Sequence, residues 1–170
     1  MNNPFETHGL GHISASQINE YISSPDRWIL RVSGYQDRSG SPAMWRGIVV
    51  DQAICKALDE PNTDYKTIQD YAAREFARLH AEALESYEYD DAKVYKEQLA
   101  VSGYLDIALP HFKSLGAPIE SQSKIVVDIG LPVPIVGYID LLYEGVVRDI
   151  KTVGRLPKTV PSATCRQLAI

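Results

Sequence analysis

The stretch GYIDLLYEGVVRDIKT, residues 137–152, holds two short apolar runs around a Glu144-Gly145 turn, and each run carries an aspartate at its middle. If Glu144-Gly145 is a two-residue hairpin loop, Tyr143 pairs with Val146, and counting outward sets Asp140 directly opposite Asp149. Lys151 projects from that same face, while Ile139, Leu141 and Ile150 project from the other. Like charges facing each other across a ladder destabilise it, and burial raises the cost unless a cation lies between them. A hard divalent ion, magnesium or manganese, removes the conflict, because such ions take carboxylate oxygens and leave positions for water and substrate oxygens. The competing reading puts both aspartates on a solvent face with Lys151 a passive counterion. The flanking runs weigh against it, being apolar on both sides as in strands buried on both faces.

A third carboxylate comes from a helix. In AMWRGIVVDQAICKAL, residues 43–58, Met44, Ile48, Asp51, Cys55 and Leu58 fall on one helical stripe, with Asp51 in its middle. A carboxylate there needs a partner, unless the stripe rotates and Asp51 faces solvent beside Gln52.

These residues require a helical half followed by a strand half. Ser14 with Gln17, and Ser16 with Asn19 and Glu20, are capping candidates for a first helix carrying Ile18, Tyr21 and Ile22. Ser24 is the expected N-cap of a second, with Pro25 at its first position and Trp28, Ile29 and Val32 along it. Gly34 to Pro42 reads as a polar loop. After the helix over 43–58, two longer ones are expected from about Thr63 to Ser86 and from about Asp90 to Leu115, the latter kinked or broken at Pro110. The acidic run 88–93 reads as the entrance to that helix. Beyond Gly116 and Pro118 the period changes to alternation, and SQSKIVVDIG, VPIVGYIDLLY and VVRDIKTV predict three strands in a meander. PSATCRQLAI then opens a further helix, with Ser162 as its cap.

With 170 residues, 45% of them hydrophobic, the chain is long enough for one domain, residues 1–170, and it reads as truncated at its C-terminal end. No run is apolar enough for a signal peptide or a membrane span, so a soluble, cytoplasmic protein is expected, in a bacterium or a phage-infected host. Cys55 and Cys165 are far apart with no C-x-x-C spacing, and both read as buried thiols. His12, His80 and His111 lack metal spacing and read as surface or packing residues. The net charge of -5 argues against nucleic-acid binding, yet the segment from Arg148 to Ile170 carries Arg148, Lys151, Arg155, Lys158 and Arg166 against Asp149 alone, a net of +4.

The capped SASQINEYISSPDRW pair, the RGIVVDQAI helix, GYID, DIKT and a following helix with Gln167 together resemble the RecB-type, phage exonuclease-like branch of the PD-(D/E)XK nuclease superfamily. The resemblance implies an α/β fold with a restriction-endonuclease-like αβββαβ core, a mixed sheet flanked by helices. It implies Asp140 and Asp149 as metal ligands, the Ile150 carbonyl as an extra ligand, and Lys151 as the residue that positions or polarises the attacking water. Gln167 matches the first residue of the family's QxxxY motif, whose tyrosine would fall one position past Ile170. Relatives carry a histidine or glutamate on the helix after RG, where this chain has Asp51. No cysteine stands near SSPDRW, so no iron-sulfur cluster is expected.

Phosphodiester hydrolysis asks for an activated water, counter-charge at the phosphorus and a stabilised leaving oxygen, which metal ions supply and a nearby lysine assists. Arg155 and Lys158, with Arg166, can hold phosphates of DNA, or the first two are solvated loop charges. Glu120 and Tyr138 stand close enough in sequence to reach the site but read more simply as a solvated carboxylate and a packing residue. Three functions stay open: a magnesium- or manganese-dependent deoxyribonuclease, acting as an exonuclease or on single strands in replication, recombination, repair or phage metabolism; a non-catalytic DNA-binding or assembly module on the same fold; and a phosphohydrolase of nucleotides. DNA is the expected partner of the first two, and the sequence names no protein partner.

Overall fold

A computed structural model describes residues 4–35, 40–85 and 87–169. The expected loop positions 36–39 and the helix end at Ser86 lie outside the described residues. Seven described helices and three strands follow in the order α1 (Pro4–Thr7), α2 (Ala15–Ser23), α3 (Pro25–Val32), α4 (Pro42–Asp59), α5 (Tyr65–Leu84), α6 (Asp91–Ser114), β1 (Glu120–Val127), β2 (Ile135–Tyr143), β3 (Val146–Arg148) and α7 (Ser162–Leu168). The result is the mixed α/β architecture expected, with a helical N-terminal half.

Local chemistry sets most of these boundaries. Ser14 and Gln17 close a reciprocal capping box at the start of α2, Ser41 caps α4, and Asp64 and Asp90 cap α5 and α6. Two expected caps differ. Ser24 occupies the N-cap of α3 but its side chain makes no capping bond, Pro25 having removed one N–H at that end. Ser162 is the first residue of α7 rather than its cap, a place taken by Pro161. Nor does α6 break at Pro110, as the helix runs on to Ser114. Its packing on α4 and α5 outweighs one missing backbone bond.

The sheet order is β1-β2-β3, with β2 and β3 antiparallel, and an isolated parallel bridge joins Ile13 to Ile135. The strands are not buried on both faces as expected. In β1 half-buried and exposed residues alternate, and Val146 and Val147 of β3 are exposed. A three-residue strand at the end of a sheet has neighbours on too few sides to be covered.

The chain forms two compact units. One comprises residues 39–123 and 139–154. Its core is α4 packed on α5 and α6, with Val49, Val50, Ile54, Ile68, Phe76, Leu105 and, from β2, Leu141 nearly inaccessible. Helix α4 is therefore buried on more than one stripe; Met44 is exposed, so the predicted stripe lies at the edge of its buried surface and not at the centre. His80 packs its ring against Trp45 and Tyr89, and His111 lies against Phe112, as packing residues do. The other unit comprises residues 1–38, 124–138 and 155–170, where α2 packs against α3 and α7 and Val32, Val133, Ile135 and Val136 are buried. Cys55 is buried as expected but Cys165 is exposed, because the short α7 buries no residue completely.

Candidate active site

The hairpin places the first carboxylates. Tyr143 pairs with Val146, Leu142 with Val147 and Leu141 with Arg148, the register that a Glu144-Gly145 loop dictates, with Gly145 at the positive φ such a turn requires. Leu141 enters the core, so Asp140 faces the other way. One expectation fails here. The third strand stops at Arg148, and Asp149 lies beyond the ladder rather than in it. At that point the Asp140 carboxylate accepts the N–H of Ile150 at 2.6 Å, a charge-assisted bond that replaces a neutral backbone one.

The Asp140 and Asp149 carboxyls still lie within hydrogen-bonding reach of each other. Burial pushes the Asp140 pKa up; the Ile150 N–H pulls it down and the Asp149 charge pushes it up again. Lys151 donates to Asp149 Oδ1 at 2.7 Å and remains about half exposed, whereas the Asp149 side chain is 14% exposed. Ile150, between them, turns its side chain onto the core.

Asp51 joins this group from α4. Its pKa is pushed up to about 6, first by burial and then by the charge of Asp140, while hydrogen bonds from Cys55 and Gln122 and the Lys151 charge act in the opposite direction. The alternative of a solvent-facing Asp51 does not hold. Gln122 Nε2 donates to its Oδ2 at 2.7 Å, and the Cys55 thiol, 3.7 Å from Oδ1, is pushed up to about 12 by burial and by the Asp51 charge. A thiol so held is a structural donor and no nucleophile.

Gln122 was not legible as a site residue. It sits in a polar alternating strand with nothing to distinguish it, yet its φ of 53 is the only positive one at a non-glycine among the described residues. Such backbone costs about 1 kcal/mol or more and is sustained where surrounding contacts require it. Glu120 accepts a hydrogen bond from Ser123 and is exposed, so it takes no part.

Asp51 and Asp140, each pushed up first by burial and further by the charge of a neighbouring aspartate, and Asp149 beside Lys151 are a donor set whose chemistry fits a hard divalent cation. Among the described residues no group of three or more His, Cys, Asp or Glu is gathered closely enough to hold an ion alone.

A family model described as the PD-(D/E)XK nuclease superfamily matches residues 12–170. The chain belongs to that superfamily. Asp149-Ile150-Lys151 has the D-X-K spelling of the family's name, and Ile139 precedes Asp140 where that name has proline before aspartate. No curated protein and no solved structure matches the chain. No described helix is long and apolar enough to cross a membrane.

The remaining predicted residues belong to the other unit. Arg155 and Lys158 are exposed on the segment before α7. Arg166 is half-buried and its Nε donates to Asn19 Oδ1 at 2.7 Å, while Asn19 donates to the Ala163 carbonyl, so the pair ties α7 to α2. Gln167 is half-buried on the same helix.

Proposed function

We propose that this protein is a magnesium- or manganese-dependent deoxyribonuclease of the RecB-type, phage exonuclease-like branch, acting at DNA ends or on single strands. The observation that carries this reading is the contact between the Asp140 and Asp149 carboxyls with Lys151 bonded to one of them. Asp140 and Asp149 hold the ion, with the Ile150 carbonyl and Asp51 as further donors. A divalent ion bound there supplies Lewis acidity and neutralises charge on the phosphate. Asp140 and Asp149, fixed at the end of the hairpin, orient the scissile phosphate relative to Lys151. The Lys151 ammonium donates a hydrogen bond to the oxygen of the attacking water and stabilises the negative charge that builds there as the water's proton passes to solvent. Gln167, Arg155, Lys158 and Arg166 contact the DNA backbone from the +4 segment, which answers the overall charge of -5.

A second reading has its own observation. Lys151 already neutralises Asp149 at 2.7 Å, as a mere counterion would in a DNA-binding module that cuts nothing. Digestion of end-labelled single- and double-stranded DNA with magnesium, beside closed circular DNA, separates the two. Release of nucleotides from ends with the circle intact is expected. Cutting of the circle would make the enzyme an endonuclease, and binding without any cutting would favour the module.

A further inference from the structure

The residues that follow Lys151 have no strand partner, since β3 ends at Arg148, yet they are held. Arg46, on α4, is the one charged residue buried among those described, at 8% exposure. It pairs with Glu97 on α6, and its Nη2 lies 3.4 Å from the Thr152 carbonyl. Its guanidinium carbon stands 4.9 Å from the centre of the Tyr104 ring, and the Tyr104 hydroxyl donates to the Val153 carbonyl at 2.8 Å. Next to Arg46 in the chain, Gly47 lets α4 approach closely, because a Cβ there would stand 3.3 Å from Thr152 Oγ1.

Burying a guanidinium is costly even when it is paired, and the Nε of Arg46 is buried without a hydrogen bond. An apolar side chain would serve the helix core better. What Arg46 and Tyr104 do that an apolar residue cannot is fix two consecutive carbonyls immediately after Lys151. Resting on the nuclease reading above, we propose that Arg46 and Tyr104, with Glu97 holding Arg46, are positioning residues that set the backbone of the Asp149–Val153 segment and through it the placement of Lys151.

Tyr104→Phe removes one O–H and keeps the ring. Arg46→Lys keeps the charge and loses the planar fork. Both are compared with wild type in three measurements: thermal melting, amide hydrogen exchange, and kcat and KM for magnesium-dependent cleavage of end-labelled DNA. For Tyr104→Phe the melting temperature is expected to fall by only a few degrees, as for one lost hydrogen bond. Exchange at residues 151–154 is expected to speed up several-fold while α5 stays as in wild type. A drop in kcat of about 10-fold with KM unchanged should accompany it, because small misplacements of a reacting group carry such penalties. Arg46→Lys should lose more, in the same direction. An active wild type with fully active variants overturns the inference alone, and so does a fall in kcat that tracks faster exchange throughout the protein. A wild type that cuts no DNA with magnesium or manganese overturns the nuclease reading and this inference with it.

Discussion

The carboxylate of Asp140 accepts the backbone N–H of Ile150 at 2.6 Å, at the position where the β2–β3 ladder ends. Asparagine at 140 keeps an acceptor for that N–H and removes the repulsion with Asp51 and Asp149. Metal-free Asp140→Asn should therefore melt no lower than wild type. Wild type should gain about 2.7 kcal/mol of stability when magnesium is present at 100 times its dissociation constant, and the variant should gain almost none. Melting curves with and without magnesium check both halves. An equal gain in the two proteins would remove Asp140 from the metal site.

The pH dependence of Asp51 follows from its raised pKa of about 6 against an ordinary 3.8. Between those values the folded state binds the proton that the unfolded state has released, so metal-free stability falls as pH rises through the interval and levels off above about 6. A displacement of that size is at most about 3 kcal/mol, and partial exposure with solvent screening reduces it to about 1–2 kcal/mol. Asp51→Asn should accordingly be more stable than wild type at pH 7 without metal, with the gain vanishing near pH 4, and should bind metal more weakly. Denaturant titrations across pH test the slope and calorimetry the affinity; unchanged metal affinity would leave Asp51 a structural residue.

Lys151→Ala removes no metal ligand. Metal-induced stabilisation and DNA binding should both persist, while cleavage falls by about 10²- to 10⁴-fold, the usual contribution of a group that assists proton transfer or stabilises charge. A digestion assay read beside a DNA-binding assay decides this. A rate near that of wild type would reduce the lysine to the counterion of Asp149.

Gln122 combines a positive φ with a hydrogen bond to Asp51, and two substitutions separate these. Glycine relieves the backbone and loses the bond; alanine keeps the strain and loses the bond. Gln122→Gly should be more stable than Gln122→Ala by about 1 kcal/mol. Urea titrations read that difference, and identical midpoints would mean that the backbone relaxes when the side chain is gone.

How much of this protein was written locally is visible residue by residue. The Glu144-Gly145 loop selects the register from Tyr143–Val146 to Leu141–Arg148, which turns Leu141 into the core and Asp140 away from it. Ser14 with Gln17 announces its helix because a cap bonds to backbone two or three residues away. Tertiary structure decided what depends on partners distant in sequence. The ladder ends at Arg148 because the Asp140 side chain takes the next N–H. Gln122 reaches Asp51 across 71 positions, and Arg46 reaches Thr152 across 106. A charge within MWRGIVV was visible in the chain, but its purpose was not, because the carbonyl it holds is brought to it only when α4, α6 and the end of the hairpin pack together.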